Sequence, residues 1–385
     1  MDEKIKYVGN AVRKEKNIKN FKKSLSLTLA LAVIIIAALA GLRIAQKTAV
    51  GGEDTKIQSG AFPVSFSTND IRDVRVTDKT LIVLTKKFVT AIDSSGDILW
   101  ENPVSYGDPA VTVSDNYVAV FDRLSNKYAV IDKKGRMTEG KSDISSQIFN
   151  LKITDGGEVL LALRSDNSSS LICLKNKKGE DKLIWSCTQE YVTDLALSTD
   201  GKTVFCGSIG ASGGEMYTKV YALTVKNGHE KSYTLPFMSC ININAVSAER
   251  FNLLTTEGVY LFDSSKEEIS LVNNSEVNSQ IIHWASDPEG NIAVVTDSTG
   301  NISENTLRVY NYKAEEKYSL SLDDGVEDIF VNEDEALILY SDSVLSVKKG
   351  EINRKLFFRN KAVGVVKAAR QIYCYSLGGV EKAAD

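Results

Sequence analysis

Histidine is nearly absent from this sequence: His229 and His283 are the only two in 385 residues. A His-rich metal centre cannot be assembled from so few ligands. Cysteine is scarce and poorly placed for cross-linking. Its five residues stand at 173, 187, 206, 240 and 374, an odd number with no Cys-x-x-Cys spacing and no adjacent pair. Most lie in apolar strand contexts such as "LICL", "TVFCGS" and "QIYCYS", where cysteine behaves as a small buried hydrophobe. A disulfide framework is therefore not expected, and a chain of this length does not need one. Basic charge is also missing from most of the chain. Residues 1–23 carry eight Lys/Arg against Asp2, Glu3 and Glu15, a local net of +5; with −4 overall, the remainder holds −4 − 5 = −9. A domain that acidic cannot displace the counterions of a phosphate backbone, which excludes nucleic acid as a partner.

Charge disappears altogether in "SLSLTLALAVIIIAALAGL", Ser24 to Leu42, 19 residues long. As a helix this segment reaches about 28 Å, close to the hydrocarbon thickness of a bilayer. Lys/Arg crowd before it, and only Arg43 and Lys47 follow closely. The positive-inside rule then puts the N-terminus in the cytoplasm and the rest outside the cytoplasmic membrane. Ala38-Leu39-Ala40 offers small residues for cleavage as a signal peptide, but the basic leader and the long apolar run favour a retained anchor. The expected organisation is a cytoplasmic leader at 1–23, a transmembrane helix at 24–42, a linker at 43–60 and one domain at 61–385.

That domain is repetitive. Units starting at Ile71, Pro109, Ile148, Val192, Asn242, Ile282, Gly325 and Ala362 follow one another every 37 to 50 residues. Each has the same internal order. A short strand ("DVRV", "AVTV", "DLALS") leads to a polar turn, then to a strongly apolar strand ("LIVLT", "YVAVF", "VLLAL"). A third strand ends at a Gly/Lys/Asp turn ("FVTAIDSSG", "YAVIDKKG"), and a fourth returns ("DILWEN", "KLIWSC"). Four strands in about 40 residues is the period of a β-propeller blade. The fold expected is all-β, an eight-bladed propeller, with seven blades as the alternative. The last unit is one strand short, while "FPVSFS" at 62–67 stands unclaimed before the first. Its Phe62, Val64 and Phe66 alternate with smaller residues as a half-buried strand requires, and Pro63 lacks the amide donor that only an outermost strand can spare. The N-terminal strand is expected to complete the last blade and close the ring.

"AIDSSGDILWE" and "LKNKKGEDKLIW" resemble quinoprotein-type propeller repeats, in which a Gly turn and a following Trp dock one blade on the next. Trp100 and Trp185 carry the feature. No Trp-Asp dipeptide supports the related WD40 type. Taken whole, with basic leader, single anchor and propeller, the chain resembles an uncharacterised domain-of-unknown-function family of Gram-positive single-pass membrane proteins. That resemblance implies the fold and the membrane topology, and no activity.

Catalytic chemistry is hard to build from these residues. The resemblance to quinone enzymes would imply a Ca²⁺-binding acidic cluster and stacking groups, often with a vicinal Cys pair, and no Cys-Cys occurs. Trp284, in "IIHWAS", is expected to pack along an inner strand with His283 beside it. "GSIGASGGEM" at 207–216 is glycine-rich but opens no helix, so it reads as a flexible loop and no phosphate cradle. The acidic runs "LDDGVED" and "NEDEA" match no calcium-loop spacing. No cofactor, metal or catalytic residue is expected. The function expected is a membrane-anchored, extracytoplasmic, non-catalytic binding or scaffolding module whose partner is an envelope protein or a glycan. The alternatives are an envelope enzyme using acidic residues on glycans or peptides, and an envelope-protein assembly factor. Candidate recognition residues lie in three long second-to-third turns: Asp166 and Asn167; Ser208, Ser212 and Glu215; and Asn301, Glu304 and Asn305. These loops, in blades three, four and six, share the face opposite the point where the chain enters the ring.

Overall fold

The computed structural model describes residues 61–66, 69–142, 146–297 and 305–384. The leader, the expected membrane helix at 24–42 and the linker lie outside the described residues. Among the described residues no helix is long and apolar enough to cross a membrane.

Residues 57–385 form one unit of eight antiparallel four-stranded sheets. Seven of the sheets take their strands in chain order, as in blade one: Ile71–Thr77, Thr80–Thr85, Phe88–Ile92 and Ile98–Pro103. The expected unit starts agree with the observed inner strands to within three residues. Second strands read as unbroken apolar runs because both their faces are covered by neighbouring blades; in Val159–Leu163 every residue is buried. Fourth strands are covered on one face only, so Ile98–Pro103 alternates between half-buried and exposed positions, with Trp100 inward and Leu99 outward.

The core is a set of eight apolar clusters, each shared by two adjoining blades. Leu160, Leu174, Leu195 and Val204 join blades three and four, and Ile82, Val89, Val111 and Val120 join one and two. The eighth sheet is built from Gly364–Ala368, Gln371–Tyr375, Gly379–Lys382 and, outermost, Val64–Ser65 from the N-terminal end. Val64 pairs with Val380 and Ser65 with Gly379. The Phe66 amide donates to the Gly378 carbonyl at 2.8 Å. Val64 and Phe66 are buried with Ile71, Val74 and Tyr373, so this strand joins the last blade to the first. Closure by the N-terminal strand and a count of eight blades both hold.

Candidate recognition face

Each inner strand starts on one face of the ring, here the upper face, which also carries the links between blades and the second-to-third turns. The lower face carries the remaining turns, and structural bonds lace it together. Thr77 Oγ1 donates to the Ser114 carbonyl at 2.8 Å, and Ser114 Oγ to the Thr154 carbonyl at 3.1 Å, carrying the lacing from blade one to three. The Glu333 amide donates to Asp287 Oδ2 at 2.8 Å between blades six and seven. Trp100 lies against Gly135 of blade two, so close that a Cβ there would fall 2.6 Å from the Trp100 Cβ. Trp185 Nε1 donates to Glu230 Oε2 of blade four at 2.8 Å. The docking role expected of both tryptophans is thus observed.

The upper face is different. In blade four the second and third strands, Thr203–Ser212 and Glu215–Thr224, are ten residues each, against five or six for the other second strands. The extra four rungs lift the hairpin by about 13 Å. Residues 207–212 and 215–216 are therefore sheet around a two-residue turn, which corrects the flexible-loop reading. Gly213 and Gly214 have φ of +63° and +88°, the left-handed pair that a two-residue hairpin turn demands. Polar side chains and glycines masked the strand signal.

A buried carboxylate braces the hairpin base. Glu190, on the link between blades three and four, accepts from Tyr221 Oη at 2.7 Å and Tyr217 Oη at 3.0 Å. Cys187 Sγ lies 3.3 Å away and Lys219 Nζ 3.7 Å away. Burial works against ionisation of Glu190, but the hydrogen bonds from Tyr221, Cys187 and Tyr217, together with Lys219, outweigh it and hold the carboxyl below its ordinary range. Burial, reinforced by Glu190, pushes both tyrosine hydroxyls up. They remain donors at neutral pH.

Three large apolar side chains are exposed at this hairpin. Met216 is 51% exposed near its tip, Tyr191 is 62% exposed opposite Ile209 at its base, and Phe237 is 66% exposed. The Phe237 amide donates to the Met216 carbonyl at 3.0 Å, and its φ of +61° is a left-handed conformation that bulky side chains avoid. Such a position costs on the order of 1–3 kcal/mol and persists only where the surroundings impose it.

The structure scatters the expected recognition residues. Ser212 and Glu215 face each other across the hairpin turn and are exposed, and Asp166 and Asn167 are exposed in the blade-three turn. Ser208 is fully buried and donates to the Lys219 carbonyl at 2.7 Å, so it is a sheet residue. Asn305 is likewise buried in Asn305–Tyr310, opposite Asp297. Asn301 and Glu304 lie outside the described residues. Sequence reasoning missed Tyr191, Met216 and Phe237; only Met216 adjoins the glycine-rich stretch, and the other two come to the hairpin through strand pairing of segments distant in sequence.

Asp328, Asp334 and Glu335 of the acidic runs have structural partners, while Asp323 and Asp324 are exposed. Glu335 is buried with Ser346 and Lys367 as direct partners, and Asp334 pairs with Lys317. Asp328 Oδ2 accepts from the Val365 amide of blade eight at 3.1 Å; burial raises its pKa, and that bond, the Ile329 amide, His283 and Arg75 only partly offset it. The five cysteines are buried, and burial pushes the thiols of Cys240 and Cys374 up to about 12. Such thiols are poor nucleophiles at neutral pH. Among the described residues no group of three or more His, Cys, Asp or Glu gathers to hold a metal ion.

Around the axis the inner strands repeat one polar position: Asp73, Asn150, Asp194, Asn242, His283 and Asp328 in blades one and three to seven. Asp194 ties three blades, accepting from Asn150 Nδ2 at 2.8 Å, Asn242 Nδ2 at 2.8 Å and the Ile243 amide at 3.1 Å. The next residue in each strand is a buried aliphatic that packs on the preceding blade, as Val74, Leu151, Leu195 and Ile329 do. In blade six that residue is Trp284, and it is 40% exposed. Trp284, expected to pack along the strand, is therefore covered only in part.

A family profile matches residues 64–373, most of the propeller. The chain belongs to DUF5711, a family of unknown function. Comparison with curated proteins found no match. Among solved structures it is similar to BamB from Moraxella catarrhalis, at 14% identity over 85% of this chain and 99% of that one, with a TM-score of 0.53. It is similar also to apo AztD from Citrobacter koseri, at 12% identity over 78% and 92%, with a TM-score of 0.54. The dihydro-heme d1 dehydrogenase NirN matches at 12% identity over 80% and 73%, with a TM-score of 0.55. Identities this low carry the fold alone, and the fold is one that a named dehydrogenase shares.

Proposed function

We propose that this protein is a non-catalytic binding module held at the outer face of the cytoplasmic membrane by residues 24–42, and that it docks an envelope protein on the upper face of blade four. The observation that carries the reading is the braced hairpin with exposed Tyr191, Met216 and Phe237. Met216 and Phe237, joined by a backbone bond, and Tyr191 at the hairpin base expose apolar area of the kind found in interface cores, and Phe237 is held there in a costly backbone conformation. The lower face, by contrast, spends its polar groups on lacing the blades. An enzyme reading based on carboxylates is less favoured, because the buried ones are engaged by Lys367, Ser346 and backbone amides.

The test is crosslinking in intact cells from a photoreactive residue at position 215. A discrete protein adduct is expected from the native chain, and its loss is expected when Met216 and Phe237 are both replaced by Ser with the melting temperature unchanged. An adduct that survives the double replacement refutes the docking face. Protease added to protoplasts should digest the propeller; protection there, with digestion in inside-out vesicles, refutes the topology.

A further inference from the structure

We infer that the cavity between the blade-one-to-two link and the outer strands of blade two binds a free α-amino acid with a large apolar side chain, held by Lys127, Lys141 and Glu139. This inference is independent of the hairpin reading, which concerns blade four. A cavity of about 470 Å³ opens between the link at 103–106 and the third and fourth strands of blade two, Lys127–Asp132 and Met137–Lys141. That size lies within the roughly 300–1,000 Å³ of small-molecule sites. Val104, Val120, Ala129 and Met137 supply its apolar lining, and the first three are buried.

Four polar side chains line the same cavity: Tyr106, Lys127, Glu139 and Lys141. Lys127 and Lys141 stand directly opposite one another in the ladder, so their side chains leave the same face side by side. Like charges so placed repel, and among the described residues neither lysine makes an ion pair. In blades one, three, six and seven the corresponding rung is uncharged, with Phe88 opposite Pro103, Ser170 opposite Cys187, Asn305 opposite Leu322 and Ser343 opposite Phe357. Glu139 lies two residues before Lys141 on that face, exposed and with no hydrogen-bonding or ionic partner among the described residues. The equivalent Glu101 of blade one accepts from Thr90 Oγ1, opposite it, at 3.1 Å. Opposite Glu139 stands Ala129, which has no donor side chain. Burial, then Glu139 and Asp122, push the Tyr106 hydroxyl up to about 12, so it stays protonated at neutral pH as a donor.

These charges select the ligand by exclusion. A simple anion is repelled by Glu139, and a simple cation by the two lysines. A zwitterion satisfies both, with its carboxylate between the lysine ammonium groups and its own ammonium on Glu139. Glu139 and Lys141 leave their strand about 6.8 Å apart, so the ligand charges they engage lie close together, as across the single carbon of an α-amino acid. An extended tripeptide separates its ends by about 10 Å. The apolar lining then receives the side chain, and the Tyr106 hydroxyl supplies a further donor for the carboxylate.

The test is isothermal calorimetry on the full-length chain in detergent with L-phenylalanine and L-leucine. The controls are 3-phenylpropionate and phenethylamine, which keep the ring of phenylalanine but lack its ammonium and its carboxylate respectively. Saturable binding of at least one amino acid is expected, about tenfold or more weaker for both controls and in the double variant Lys127→Gln/Lys141→Gln. Glu139→Gln should bind 3-phenylpropionate more tightly than the native chain does, because the repelling carboxylate is gone. Removing two facing lysines relieves repulsion, so the melting temperature of the double variant should equal or exceed that of the native chain. No saturable heat from either amino acid, binding of 3-phenylpropionate as tight as that of phenylalanine, or binding unchanged in the double variant would each overturn the inference. So would a melting temperature lowered in the double variant with no amino-acid heat in either form, which would make the lysines structural.

Discussion

Ring closure rests on very few residues, and replacing them tests how the propeller is held shut. Val64 and Phe66 are buried against Ile71, Val74, Leu81, Tyr373 and Val380, which belong to the first and last blades. A buried Phe→Ala replacement costs about 3–5 kcal/mol, and removal of two methyl groups from Val64 adds about 1.6 kcal/mol. Because the two side chains share one cluster, the double variant is expected near the low end of the sum, about 5 kcal/mol. That equals a third or more of the roughly 5–15 kcal/mol that holds a domain folded. Phe62 is only half-buried, with its ring 5.0 Å from that of Tyr373, and Phe62→Ala should cost about 1 kcal/mol. Urea unfolding with linear extrapolation measures each value. A strand released from Gly379–Lys382 also leaves an unpaired edge, so size-exclusion chromatography should show dimers or larger species for the double variant alone. A double variant that is monomeric and within 1 kcal/mol of the native chain would show that the first and last blades hold together without this strand.

Two further outcomes follow from the hairpin. The folded-state pKa of Glu190 is depressed, so its contribution to stability is present above the unfolded value of about 4.3 and is lost as pH falls through the folded value. Glu190→Gln should therefore cost about 2–3 kcal/mol at pH 7 in urea melts, and the difference from the native chain should shrink on acidification below about pH 4; a difference that does not vary with pH would refute the charged clamp. Phe237→Gly relieves a φ of +61° and should raise stability by about 1 kcal/mol while weakening envelope crosslinks, whereas a fall in melting temperature would mean that the Phe237 ring is packed in solution.

The architecture was legible before any coordinate because its signals are local and repeated. A both-sides-buried second strand must be an apolar run, a one-side-buried fourth strand must alternate, and eight repetitions of that order leave only radial stacking to cover the faces. The unpaired strand at 62–67 was readable for the same reason: a blade one strand short needs a partner, and the alternation of Phe62, Val64 and Phe66 met the need. The candidate site was less legible. Ser208 and Asn305 looked like loop residues because polar side chains in a strand between two blades give no apolar signal; Ser208 is satisfied there by the Lys219 carbonyl. Trp284 looked like core because a lone Trp in an apolar strand usually is. Its exposure depends on how blades five and six come to rest against each other, which involves residues far apart in the chain. Local pattern determined which residues form strands and how many blades they make. Only the closed ring decided which side chains find partners across blade junctions and which are left facing solvent, because that is settled by where neighbouring sheets come to rest against one another.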